Sequence, residues 1–212
     1  MRAESYFKAD LFKEAYDAYG RSKQKPSKNP TMQTLMLLHG GQAAGQLKQW
    51  KTSFEWLTEL RQKFPKSPFV AQATYEQGWA LQNMNKLDEA LQAFSQVSAS
   101  SRNELGSRSR FMVGEVLFKQ KAYAKAILEF RRVMFGYGGE SAPAEIKQWQ
   151  AKSGFEAGRC ATVLASQSQN PQQRSQLIDG AKSFFKYVVD KHPASAEAKP
   201  AKDELTKLSP GG

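Results

Sequence analysis

One spacing frame recurs along this chain and constrains it more than any other feature. Gly41, Gly78 and Gly114 are each followed twelve residues later by another small residue, Ser53, Ala90 or Ala126. Four positions further on stands a large apolar residue (Leu57, Phe94, Phe130), and three beyond that another (Leu60, Val97, Val133). Trp50, Leu87 or Tyr123 lies three residues before each second small residue. The frame returns at intervals of 37 and 36 residues. Chance does not produce that, and a period of this length marks a stack of like supersecondary units. Ala3, Phe12, Ala15 and Tyr19 fit the frame near the start, with a shortened first helix. Gly158, Ile178, Ala181 and Phe185 fit it near the end, where the small-to-small spacing grows to 23. The polar run from Ser166 to Gln173 predicts a lengthened loop there.

Inside each unit the apolar residues recur at three and four, which predicts two amphipathic helices. A small residue on each helix lets the two backbones approach where they cross. The aromatic or leucine before the second helix plugs the hairpin. The later apolar residues (Leu57, Phe94, Val97, Phe130, Val133, Phe185, Val188) pack onto neighbours and are expected to be buried. One hairpin cannot bury its own apolar stripe, so the units must stack. Breakers fall at the expected hairpin ends: Pro26 and Pro30, Pro65 and Pro68, Gly136 to Gly139, and Pro193. Asn83 to Lys86 supplies a tight turn, and Ala198, Ala201, Leu205 and Leu208 mark a final, polar-backed capping helix. The expected fold is all-α, a right-handed superhelical α-solenoid of stacked antiparallel hairpins with roughly eleven helices and no sheet. It forms one array over 1–212, with hairpins at 1–29, 30–67, 68–102, 103–139 and 140–193 and a capping helix at 194–208. Because the chain starts inside a first hairpin, it reads as a fragment or processed form of something longer.

These residues resemble the tetratricopeptide repeat over nearly the whole chain. The best instance is Tyr75-Glu-Gln-Gly-Trp-Ala-Leu-Gln-Asn-Met-Asn-Lys-Leu-Asp-Glu-Ala-Leu-Gln-Ala-Phe94. The next is Gly114-Glu-Val-Leu-Phe-Lys-Gln-Lys-Ala-Tyr-Ala-Lys-Ala-Ile-Leu-Glu-Phe130. The second unit departs by Ser53, where the family favours alanine, and the fifth by its insertion. Lys63-Phe-Pro-Lys-Ser67 and Lys191-His-Pro-Ala-Ser195 are similar to the aromatic-Pro-x-Ser hairpin ends of bacterial envelope repeat proteins. That group includes the Tol-Pal accessory protein and the lipoprotein of the outer-membrane β-barrel assembly machine. The resemblance implies a non-catalytic scaffold of the bacterial periplasm or cell envelope, with any targeting signal absent from this chain.

Composition narrows the other classes. No stretch approaches the roughly 20 apolar residues that span a membrane. The lone Cys160 excludes an internal disulfide and a multi-cysteine metal site. Arg159 beside it could lower a thiol pKa, but a lone helical cysteine reads as a packing residue. His39 and His192 fall in different units, so no catalytic or zinc pair is expected, and His192 reads as a helix-end residue acting on the helix dipole. Gly40, Gly41 and Gly45 lack the lysine and hydroxyl of a phosphate loop, and Gly136-Tyr-Gly-Gly139 reads as a helix end. No enzyme activity, cofactor or metal is expected. The net charge of +11 keeps open an alternative, a helical repeat that binds nucleic acid or an anionic surface. The cations are mixed with acids and no nucleic-acid motif is present, so that partner is not favoured. A second alternative is an accessory repeat domain of a longer enzyme.

The favoured partner is a protein or peptide held along a concave groove lined by first helices. Three residues before Gly78, Gly114 and Gly158 stand Tyr75, Phe111 and Phe155, and just after those glycines come Trp79, Glu115 and Arg159. Asn83 and Lys119 lie further along the same faces, Arg108 and Lys152 one turn earlier. Together they would form an aromatic ladder edged by charges, suited to an extended or helical segment. A monomer, or weak self-association through the shortened first hairpin, completes the expectation.

Overall fold

The three-and-four apolar period becomes helix throughout: among the described residues, 2–209 of a computed structural model, there are eleven α-helices and no strand. The first helices of the hairpins are α1 (Arg2–Lys8), α3 (Pro30–Gln46), α5 (Val70–Asn83), α7 (Glu104–Lys119) and α9 (Ala144–Gln167). Their second helices are α2 (Phe12–Gln24), α4 (Trp50–Lys63), α6 (Leu87–Ser100), α8 (Tyr123–Gly136) and α10 (Pro171–Lys191), and α11 (Ala198–Leu208) follows. Contacts divide the chain into two compact units, Met1–Val97 and Ser98–Gly212. In the first, each of α1 to α4 packs on its successor, and α3 also touches α1 and α5. In the second, α8 packs on α7 and α9, α10 on α9 and α11, and α7 also meets α9.

Four of the turns inside hairpins share one construction. Asp10, Lys48, Asn85 and Lys121 each take a left-handed φ of 56–60° two residues before the second helix. The following N–H then reaches back five residues, as in Leu11 to Tyr6, Gln49 to Ala44, Lys86 to Leu81 and Ala122 to Leu117, at 2.8–2.9 Å. This closes the orphan carbonyls of the first helix and reverses the chain in a single step. The fifth hairpin is different, and here the expected long loop is corrected. Only Ser168 to Asn170 separates α9 from α10, because the inserted residues extend both helices to 24 and 21 residues. Asn170 caps α10, its Oδ1 accepting from the Gln173 N–H at 3.1 Å, and Pro171 opens the helix. Asn-Pro does the same at Asn29-Pro30, so the run that reads as a loop is a cap with proline at the first helical position.

The exits from α4 and α10 are also alike. Phe64 and His192 cap their helices with N–H bonds to Leu60 and Val188 (2.8 and 2.9 Å). Ser67 and Ser195 then donate backbone N–H bonds to the carbonyls of Phe64 and His192 (3.0 and 2.9 Å). Thus the two Pro-x-Ser segments make one turn twice.

At the crossings, each frame glycine faces the large apolar residue four positions beyond the partner helix's small residue. A Cβ on Gly78, Gly114 or Gly158 would come within 2.7, 2.4 or 2.5 Å of Phe94, Phe130 or Phe185, and one on Gly41 within 2.9 Å of Leu57. Ala90, Ala126 and Ala181 are fully buried. Leu57, Phe94, Val97, Phe130, Val133, Phe185 and Val188 are at most 1% exposed, each contributing roughly 1.5–3 kcal/mol by burial. In the second unit Tyr137 pins the end of α8. Its hydroxyl donates to the Gly106 carbonyl at 3.1 Å and accepts from Arg110 Nε at 3.3 Å, while Arg110 also pairs with Glu129 at 2.6 Å.

Candidate first-helix interface

Packing against the second helices and the neighbouring hairpins decides which first-helix residues are available. In the first unit, Tyr75 is 2% exposed, its ring 5.4 Å from Phe94. In the second, Phe111 is 9% exposed, its ring 5.5 Å from Phe130. Phe155 is half-buried against Phe185 at 5.7 Å. The expected aromatic ladder is thereby corrected at Tyr75 and Phe111: three residues before the glycine is the side facing the second helix, so these rings are core. The residues just after the glycines turn the other way. Trp79 is 40% exposed on α5, and Asn83 is exposed beside it, its Nδ2 donating to the Trp79 carbonyl at 2.8 Å. On α7 and α9, Lys119 and Arg159 are exposed, and Arg108, Glu115 and Lys152 half-buried.

Successive first helices meet through two positions of the frame. The residue after one small frame residue faces the residue two before the next. In the first unit this joins Glu4 to His39 (2.8 Å) and Gln42 to Glu76 (2.9 Å). Tyr19 also donates to Glu4, at 2.8 Å, and Phe7 stacks on His39 with ring centres 4.6 Å apart. In the second unit the same two positions hold Glu115 and Glu156, two carboxylates. Burial, then repulsion from Glu156, pushes the Glu115 carboxyl up from 4.5 to about 7, against the opposing pull of Arg159 and Lys119. Glu156 is raised as well, chiefly by burial, although Arg159 contacts both its oxygens at 2.9 Å. Arg159 also lies 5.2 Å over the Phe118 ring.

Trp149, at the start of α9, escapes the sequence reading and is central to this face. Its Nε1–H donates to Glu104 at 2.8 Å, and Phe111 stands 5.4 Å away. Lys152 and Arg108 approach its ring at 4.6 and 5.8 Å, within cation–π range. A signal for it exists: nine residues before each frame glycine stands a large apolar side chain, Met32, Phe69, Leu105 or Trp149. The α7–α9 face therefore offers a half-buried indole with two cations near its ring, and Lys119 and Arg159 further along.

Cys160 is fully buried, and burial with Glu156 and Glu115 pushes its thiol up to about 12 despite Arg159. His192 caps α10 and shares a 3.1 Å hydrogen bond with the Tyr187 hydroxyl. Burial and Lys147 lower its pKa, which favours the neutral ring over the dipole-stabilising cation expected from sequence. Among the described residues, no group of three or more His, Cys, Asp or Glu side chains could hold a metal, and no helix is long and apolar enough to cross a membrane.

The fold is of the tetratricopeptide helix-hairpin type. Residues 72–101 match the family model described as tetratricopeptide repeat, which covers most of α5 and all of α6. A crystal structure of MamA protein is similar to this chain at TM-score 0.64 and 20% identity, over 96% of this chain and 92% of MamA. A Podosopora anserina putative kinesin light chain with nearly identical TPR-like repeats gives TM-score 0.62 at 14% identity, covering 89% and 93% of the two chains. Bacillus thuringiensis PlcR, in complex with the peptide PapR7 and DNA, gives TM-score 0.57 at 13% identity, covering 98% of this chain and 71% of PlcR. No curated protein sequence matches the chain.

Proposed function

We propose that this protein is a non-catalytic scaffold that holds a segment of a partner protein against its first helices, in the assembly of a bacterial envelope. The observation that carries the reading is the α7–α9 face, where Arg108 and Lys152 both approach the Trp149 ring and Arg159 stands exposed. Trp and Arg are the side chains that most often dominate interface energies. Lys119 and Arg159 extend the positive edge, so the segment it takes is apolar with acidic flanks. The peptide complex of PlcR, a protein of similar fold, agrees with such a use. The envelope setting rests on the two Pro-x-Ser hairpin exits at Phe64–Ser67 and His192–Ser195.

Affinity capture from a solubilised bacterial envelope fraction tests this, with the parent compared against Lys152→Ala and Arg159→Ala. Neither side chain lies in the core, so circular dichroism should be unchanged and melting only modestly lowered, by loss of the Arg159–Glu156 pair and the Lys152–Trp149 contact, while the captured partners are lost. If both variants retain the same partners at parental affinity, this face is not the site. Binding to random oligonucleotides with a steep salt dependence would instead support the nucleic-acid reading.

A further inference from the structure

The outer face of α8 is unlike that of the other second helices. Ala124, Lys125, Leu128, Arg131, Arg132 and Phe135 recur at three and four along it, all of them exposed, and exposed Lys121 lies in the turn just before. They form one stripe about 20 Å long. Leu128 and Phe135 are 53% and 57% exposed, two of the five large hydrophobic residues so exposed among the described residues. The stripe contains no acid. Glu129 lies at its edge and is held by Arg110 and Arg132 together, two cations against one carboxylate. Lys121, Lys125 and Arg131 form no ion pair among the described residues. The exposed positions of α4 mix Lys51 with Glu55, and those of α6 carry Asp88 and Glu89. A merely solvated helix face would look like those.

We infer that this stripe seats the second unit on an anionic lipid surface. Leu128 and Phe135 stand two turns apart, so both can enter the headgroup–acyl boundary together. The long stems of Lys125, Arg131 and Arg132 run beside them and keep their charges at headgroup level. Anionic lipid supplies the opposite charge over a broad, unshaped area. An exposed helix face with two apolar projections fits that better than it fits a shaped acidic protein groove. None of the Trp149 or Arg159 cluster lies on this stripe, so the inference stands apart from the partner-binding reading.

Vesicle co-sedimentation tests it, using phosphatidylcholine vesicles with and without phosphatidylserine. The parent should bind only the serine-containing vesicles, and added salt should weaken it. Each cation removed should cost about fivefold, so Lys125→Ala with Arg131→Ala should bind roughly 25-fold more weakly. Leu128→Ser with Phe135→Ser should lose about tenfold or more even at low salt, which a purely electrostatic contact would not. Melting curves confirm that each variant is folded. Absence of parent binding at low salt overturns the inference, including when an acidic protein binds the stripe instead. Equal binding by the charge-deleted variant overturns it too.

Discussion

Replacing Gly114 with alanine tests the packing frame at its tightest aromatic crossing. The new Cβ would lie 2.4, 2.7 and 2.8 Å from three carbons of the Phe130 ring, where carbon atoms pack at roughly 3.5–4.0 Å. The ring must therefore move by about 1 Å. It has little room, being fully buried with the Phe111 ring 5.5 Å away. Overpacking of this kind costs about 1–3 kcal/mol, and this contact belongs in the upper half of that range. Alanine regains about 1 kcal/mol of helix propensity, which leaves a net loss of about 1–2 kcal/mol, or roughly 2–8 °C in Tm. Gly180, inside α10, is the control: a Cβ there meets nothing within 4 Å, so Gly180→Ala should gain about 0.5–1 kcal/mol. Thermal and urea melts followed by circular dichroism measure both. Should Gly114→Ala melt at or above the parent, Phe130 does not rest on that glycine and the frame has been misread.

Other outcomes follow from the second unit. Glu115 titrates near 7 in the folded chain and near 4.5 when unfolded, so between those values the folded state holds the extra proton and stability falls as pH rises. Glu115→Gln should flatten that fall, making the variant more stable than the parent above about pH 7 and nearly equal to it near 4.5; a parallel pH profile would refute the half-buried carboxylate pair. Cys160 should resist a thiol-disulfide reagent in the native protein and react fully in denaturant, whereas rapid native labelling would contradict its burial. Tyr137→Phe should cost about 1–2 kcal/mol by stripping the Arg110 and Gly106 bonds, and an unchanged urea midpoint would show that water replaces the hydroxyl.

The helices, their pairing and the buried faces were legible in the residues themselves. Periods of three and four, small residues at crossings and proline punctuation are local rules, and they act wherever the chain carries them. The same locality explains the misreading near Ser166: polar residues say only that a segment meets water, and a solvated helix with an Asn-Pro cap satisfies that as well as a loop does. Which aromatics are available was settled by tertiary packing. Tyr75 and Phe111 occupy the same frame position as Phe155, yet they are buried while Phe155 is only half-buried, because exposure depends on what the neighbouring helix presents. Trp149 gained its role the same way, from Arg108 and Glu104 on α7, more than forty residues away in sequence. The pairing of Glu115 with Glu156 likewise exists only once α7 and α9 lie together. Sequence by itself determined the repeating hairpin and its core; contacts between helices decided the charge and exposure of its face, since a side chain's solvation belongs to its surroundings and not to its own position in the chain.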